Sequence, residues 1–273
     1  MFPRAAWRLL NTGYADGYTN MAIDEAILLT LVEGRAPPTL RFYGWEPPCL
    51  SIGYSQSMEK EADVELCRRH GIDCVRRPTG GRAILHIDEL TYSVIAPLGE
   101  PRVAGEVVES YRRLSLGLAS GLNLLGAEVT QALPERKGSG GRTAACFDAP
   151  SHYEITAGGK KLVGSAQMRR RGAVLQHGSL PLEGDITRIV SYLKVHSEEK
   201  TKLRRELAGR ATTLEHVLGR VVPFTEAAAV LAEGFARALN LELVPGELSE
   251  HEKEMAERLR REKYATDEWN LRR

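Results

Sequence analysis

Apolar and polar positions in this chain follow two periods, and each change of period marks a new element. Residues 19–34, TNMAIDEAILLTLVEG, predict a helix capped by Thr19 or Asn20. Asp24 and Glu25 suit its early turns and Gly34 its end. Residues 39–53, TLRFYGWEPPCLSIG, predict two short strands around a Pro-Pro turn. Residues 57–71 predict a second helix, from a Ser57 cap to a Gly71 stop, with Ala62, Leu66 and Cys67 on one face. Strand patterns follow in DCVRR, RAILHI and ELTYSVIAP, with PTGG as a turn among them. A long helix is expected from about Val107 to Leu125, then a polar, glycine-rich loop over 134–143. HYEITAGGKKLVGSAQ predicts a hairpin, with His152–Thr156 as one arm and Gly158-Gly159 as the tight turn. GAVLQHGSLPL predicts a further strand. Beyond about residue 184 the period becomes helical, in DITRIVSYL, TEAAAVLAEGFARALN and ELSEHEKEMAERLRREKY.

Strands grouped in the first two thirds, with helices before, between and after, argue for an α+β fold of mixed or antiparallel sheets flanked by helices, not a doubly wound one. Residues 1–184 then form the main part, and 185–273 a helical portion packed on it within a single domain. A chain of 273 residues can bury a full core. The net charge of +1 removes bulk electrostatics as a reason to expect nucleic acid. No apolar run approaches the roughly 20 residues of a membrane span. The stretch MFPRAAWRLLNTG lacks the apolar region and small-residue cleavage site of a secretory signal. Cys49, Cys67, Cys74 and Cys146 form no CxxC and match no usual zinc spacing, so no metal is expected. Free thiols in a reducing cytoplasm fit this usage, with packing as the role of Cys49, Cys67 and Cys74.

One stretch stands out chemically. RRPTGGRAILH, residues 76–86, joins positive charge, bare backbone and an apolar strand. Adjacent glycines at 80 and 81 allow close approach to a ligand and leave N–H groups for oxygens. Arg76, Arg77 and Arg82 favour an anionic or carbonyl-bearing ligand, and the strand to His86 can supply a wall. A second stretch, TAACFDAPSHYEI, puts Cys146 between the glycine-rich loop and a strand, a setting for an accessible nucleophile. An ordinary thiol, with a pKa of ~8.5, is only slightly ionised at neutral pH. A nearby ammonium would favour the thiolate. Lys160 or Lys161, on the far arm of the hairpin, can supply it, and strand alternation turns only one of them inward. The small residues of VGSAQ permit close approach, and Gln167 can bond a carbonyl.

RRPTGGRAILH, ELTYSV, AACFDAPSHYEI, GGKKLVGSAQ, VLQHGSL and KYATDEWN, in this order, resemble the biotin/lipoate protein ligase and acyltransferase superfamily over about residues 7–270. The nearest likeness is to the cysteine-dependent octanoyltransferases of lipoate assembly. Lipoate ligases usually carry a third glycine where this chain has Arg82, and an Asn-Asp pair where it has CFDAPSHYE. The resemblance implies the class II synthetase-like catalytic fold of that superfamily. It puts the nucleophile on Cys146 and the thiol-activating lysine on Lys161. It puts the acyl site on Arg77, Gly80, Gly81, Arg82, His86, Gly164, Ser165, Ala166, Gln167 and His177.

The implied reaction takes octanoate from octanoyl-acyl carrier protein onto Cys146, then onto a lysine of a lipoyl domain such as that of the glycine cleavage H protein. It needs no ATP, metal or other cofactor, and the likeness favours a monomer. Burying about six methylenes at ~0.8 kcal/mol each contributes roughly 5 kcal/mol, and a pocket closed at that depth disfavours longer chains. Lys161 would also stabilise the oxyanion. Arg169, Arg170 and Arg171 form either a solvated turn or a docking patch for acidic carrier proteins. Three other readings remain: an ATP-dependent lipoate ligase, an amidotransferase moving octanoate from H protein to dehydrogenase lipoyl domains, and a silent binder of acyl or biotin-like ligands.

Overall fold

The computed structural model of the chain describes residues 2–131 and 154–272. Cys146, its neighbours Phe147 and Pro150, the loop 134–143 and the first residues of the expected strand at His152 lie outside the described residues. The strands, in chain order, are β1 (Ala5–Ala15), β2 (Thr39–Trp45), β3 (Cys49–Ile52), β4 (Asp73–Arg76), β5 (Ile84–His86), β6 (Glu89–Pro97), β7 (Thr130–Gln131), β8 (Ile155–Ala157), β9 (Lys160–Arg170), β10 (Ala173–Pro181) and β11 (Leu241–Pro245). The helices are α1 (Gly17–Val32), α2 (Met58–Glu61), α3 (Val64–Arg69), α4 (Val107–Leu124), α5 (Ser197–Arg210), α6 (Leu214–Leu218), α7 (Phe224–Leu239), α8 (Glu250–Leu259) and α9 (Asp267–Asn270). A 3-10 helix spans Ile186–Tyr192, and a π-helical turn, Arg260–Tyr264, follows α8.

Among the described residues, one eight-stranded sheet runs β11-β1-β2-β6-β10-β9-β8-β7, and a three-stranded sheet runs β4-β3-β5. The large sheet is mixed: β1 pairs parallel with both β11 and β2, whereas β2, β6, β10, β9 and β8 alternate in direction. This is the α+β architecture that the patterning predicts. Alternation along each strand separates two cores. Leu40, Phe42, Leu90, Tyr92 and Val94 face one way, onto Leu114 and Leu118 of α4 and Leu231 and Phe235 of α7. Tyr43, Ile95 and Leu175 face the other way, onto Met21, Ile27 and Leu28 of α1 and Met255 of α8. A third core joins the small sheet to α2, α3, the 3-10 helix and α5.

Several elements differ from the expectation. The first helix begins earlier, because Asp16 is its cap and accepts from the Thr19 N–H at 2.7 Å. Asp24 and Glu25 therefore sit in the buried body of α1, not at its start. The helix expected over 57–71 is two, since the chain extends at Ala62 and Asp63 recaps it through the Leu66 N–H. Ser57 makes no side-chain cap bond. Three elements carried no clear pattern: β1, α5, and β11 within the part read as helical. β1 is long but mixes inward and outward residues without strict alternation, and β11 is short; β1 pairs with both β2 and β11, and β11 becomes a strand by pairing with a segment more than 200 residues away. The hairpin turn at Gly158-Gly159 does form, with φ of +56° and +76°, values that favour glycine.

Candidate active site

The two sheets meet around a small cavity. Its walls are built from both: Met21 of α1, Tyr43 and Trp45 of β2, Ser51 of β3, Ile84 and His86 of β5, and Gly164 to Ala166 of β9 opposite His177 to Ser179 of β10. A tight β9–β10 approach makes that last wall. A Cβ on Gly178 would lie 2.5 Å from both the Ser165 Oγ and the Tyr92 ring, so the wall stays thin only with glycine there.

Arg76 and Arg77 part company. Arg76 is buried beneath the C-terminus, where its guanidinium donates to the backbone carbonyls of Tyr54 at 2.8 Å, Trp269 at 3.1 Å, Asn270 at 3.0 Å and Arg272 at 2.8 Å, among others. Arg77 lines the cavity and donates to the carbonyls of Gly80 at 2.8 Å and Arg82 at 2.7 Å. Its other branch donates to the Ser51 hydroxyl at 3.0 Å. Arg77 thus holds the turn that contains Gly80, Gly81 and Arg82 at the cavity's edge. Both glycines are exposed. Gly53 backs directly onto this turn, since a Cβ there would lie 2.0 Å from the Gly81 oxygen.

Two buried carboxylates underlie the polar side of the cavity. Glu89 accepts from His86 Nδ1 at 2.9 Å and from the hydroxyls of Thr91 and Ser179. The far nitrogen of His86 meets Ser51 Oγ at 2.8 Å, and its ring stacks on Trp45 with centroids 3.9 Å apart. Asp24 accepts from Arg41 at 2.7 Å, Ser93 at 2.8 Å and Tyr43 at 2.9 Å, with His177 Nδ1 at 3.3 Å. The other nitrogen of His177 meets Thr79 Oγ1 at 2.6 Å. Burial alone would raise both carboxyls. At Asp24 the Arg41 charge and the hydrogen bonds from His177 and Arg41 outweigh it together, and at Glu89 the His86 charge and the hydrogen bonds do, so both are held below the usual range. Burial pushes His177 down against the pull of Asp24, which keeps the imidazole neutral and its Nδ1–H donating.

The hairpin arm turns one lysine inward. Lys160 reaches out to the Ala208 carbonyl at 2.8 Å, while Lys161 is 2% exposed and pairs with Glu154 at 2.6 Å. Gly164 at the cavity wall lies about 10 Å further along the same strand. The Gln167 amide faces α4 instead, bonding Ser110 at 3.0 Å and Gln176 at 2.8 Å while its carbonyl accepts from Arg169 at 2.8 Å. The Ser165 hydroxyl likewise meets Tyr92 at 2.7 Å. Arg169 also donates to the Val103 and Gly105 carbonyls, which ties that member of the arginine run to the fold, whereas Arg170 and Arg171 are exposed. Asp24 and Ser51 are site residues that lie outside every motif, whereas Thr79, Glu89 and Glu154 lie inside RRPTGGRAILH, ELTYSV and AACFDAPSHYEI with nothing there to single them out. For Asp24 the one signal available was a pair of acids inside the otherwise apolar run of α1. Among the described residues no cluster of acidic, His and Cys side chains could hold a metal ion, and no helix is long and apolar enough to cross a membrane.

The family model for the lipoyl protein ligase A/B catalytic domain matches residues 16–236, so the chain belongs to that family. It is 50% identical over 276 aligned residues to octanoyltransferase LipM of Moorella thermoacetica, which covers 99% of this chain and 100% of that one. It is 48% identical to octanoyltransferase LipM of Kyrpidia tusciae, over 97% of this chain and 98% of that one. Among solved structures it is similar to a bipartite lipoate protein ligase from Thermoplasma acidophilum, studied with its E2 lipoyl domain. That match has a TM-score of 0.82 and 26% identity, over 97% of this chain and 96% of that one. A lipoate-protein ligase A bound with ATP gives 0.79 and 27%, over 98% and 99%.

Proposed function

We propose that this protein is an octanoyltransferase of lipoate assembly, which carries the acyl group as a thioester on Cys146. The supporting observation is the identity of 40–50% to octanoyltransferases over nearly the whole chain, against 26–27% to the lipoate ligases of like fold. In the first step the Cys146 thiolate attacks the carbonyl carbon of octanoyl-acyl carrier protein. The carrier thiolate leaves and takes up a proton. In the second, the neutral amine of a lipoyl-domain lysine, with the glycine cleavage H protein as our chosen acceptor, attacks octanoyl-Cys146. An amide forms, the amine gives up a proton, and the Cys146 thiolate is regenerated. One thioester replaces another in the first step, and the amide makes the second downhill.

Lys161 acts as the cation that favours the thiolate and then faces the oxyanion. The cavity takes the acyl chain between Ile84, Trp45 and the β9–β10 wall, and the Arg77-held turn of Gly80, Gly81 and Arg82 sits at its mouth. His86, His177, Gly164, Ser165 and Ala166 shape the chain's path; Gln167 acts from behind β9. We read residues 1–184 and 185–273 as one working unit, because β11 and α7 complete the sheet and its cover. A monomer in a reducing cytoplasm fits the described cysteines, which are free.

The test is intact-protein mass spectrometry after mixing with octanoyl-acyl carrier protein without ATP, on wild type and Cys146→Ser. A hydroxylamine-labile octanoyl adduct is expected on wild type alone. Its absence from wild type, with modification of a lipoyl domain only when ATP and lipoate are supplied, would replace this reading with a ligase.

A further inference from the structure

The feature that the proposed chemistry does not use is the acid beside Lys161, which lies in AACFDAPSHYEI but was given no role there. Glu154 Oε1 lies 2.6 Å from Lys161 Nζ, and the two side chains are 3% and 2% exposed. Both belong to one hairpin, Glu154 just before β8 and Lys161 in β9, where Ile155 is in register with Val163 and Thr156 with Lys161. The register shift between those two pairs swells the hairpin beside this ion pair. Lys161 is also fixed through its backbone, since its carbonyl accepts from the Thr212 N–H at 3.0 Å. The ammonium therefore stands on an anchored strand with a carboxylate against it.

We propose that Glu154 is the positioning residue of this site: it keeps the buried Lys161 amine protonated and aimed, and so sets how readily the thiol activated by Lys161 ionises. This rests on the reading of Lys161 as the activating cation for Cys146. A buried lysine loses its charge readily, because burial disfavours the ammonium, and a neutral amine would not favour a thiolate. Two effects of Glu154 oppose each other. Its own negative charge disfavours any nearby thiolate, whereas holding the ammonium favours it. The second wins, because Glu154 touches Lys161 directly and protonation of that amine is all or nothing for the thiol. Glu154 touches no substrate in this scheme; it acts through Lys161.

The experiment is the rate of Cys146 alkylation by iodoacetamide across pH 5–10 on the full chain. Rates are read at the peptide level, with Cys49, Cys67 and Cys74 as internal controls and circular dichroism as the check on fold. Wild type should show a midpoint well below the ordinary ~8.5 of a thiol, and Lys161→Ala should return it there. Glu154→Gln should raise the midpoint towards that of Lys161→Ala, slowing alkylation at neutral pH about tenfold or more, with Glu154→Asp in between. The kcat of octanoyl transfer should fall in the same order while KM for the carrier protein stays put. A folded Glu154→Gln whose midpoint equals or falls below that of wild type, while Lys161→Ala is shifted, overturns the role of Glu154 alone. Coincident profiles for wild type and Lys161→Ala overturn both this role and that of Lys161. Should Glu154→Gln fail to fold, Glu154→Asp decides: an unmoved midpoint overturns the inference.

Discussion

At the scale of single residues, the site is a set of buried charges, each answered by hydrogen-bonding groups from distant segments. Asp24 is fully buried and gathers four donors, of which the Arg41 guanidinium is itself fully buried. Such a pair contributes little net stability, because desolvating two charges offsets their attraction, but breaking it is costly. Asp24→Asn would leave Arg41 buried without its counter-charge. Urea unfolding at neutral pH should show a loss of about 3–5 kcal/mol, and a loss under about 1 kcal/mol would mean that Arg41 finds water or another acceptor. Arg77, His86, Gly164, Ala166 and His177 were legible as a candidate set, since they lie in stretches whose composition or family likeness marks them. Asp24 and Ser51 were not, and nothing in ELTYSV set Glu89 apart from its neighbours. Their importance comes from partners in other elements: Asp24 with Arg41 and His177, Ser51 with His86, Glu89 with Ser179.

At the scale of elements, the two arginines of RRPTGG do different work although they are adjacent. Strand alternation at the end of β4 sends Arg76 towards α9 and Arg77 towards the cavity. Trp269 returns a bond from its indole N–H to the Arg76 carbonyl at 2.8 Å, and Asn270 accepts from the Arg76 N–H at 2.8 Å. Arg76→Ala should therefore release α9. Hydrogen exchange over residues 264–272 should speed up markedly while β6 and β10 keep their protection, and equal protection in both variants would show that Trp269 and Asn270 suffice. The turn at the cavity mouth depends on a different contact. Gly53→Ala puts a methyl where the Gly81 carbonyl lies, so the turn must move. The expected outcome is a strong loss of octanoyl transfer with only a small fall in Tm; unchanged transfer would mean that this turn does not place the reacting carbonyl.

At the scale of the molecule, the buried site couples stability to pH. His177 is depressed on folding, so the unfolded chain binds its proton first, and stability is lost as pH falls below about 6.5. Asp24 and Glu89 are also depressed, so their contribution is full above about pH 4 and is lost as pH falls through their folded values. Urea midpoints measured from pH 8 to pH 3 should decline in two stages, a shallow one from about 6.5 and a steeper one below about 4. Replacing His177 with Gln should remove the first stage and leave the second. A midpoint that rose between pH 7 and pH 4 would contradict the sign for His177, and one that rose below pH 4 the sign for Asp24 and Glu89.

Much of this protein was settled by the order of its residues. Alternating apolar strands, the α4 and α7 stripes, the Gly158-Gly159 turn and the ordered motifs define an α+β domain and the family, because these are local patterns that the chain carries wherever it goes. Which of Lys160 and Lys161 turns inward was left open by periodicity alone, and burial in the folded hairpin picks Lys161. β1 and β11 were invisible for a related reason. Neither has a pattern strong enough to be a strand alone: β1 is held between β2 and β11, and β11 acquires its partner only when the ends of the chain meet. The same holds for Asp24, Glu89 and Glu154. A carboxylate in a sequence says nothing of its surroundings, and only the packing of α1, β5, β6, β9 and β10 decides that these three are buried and which donors answer them.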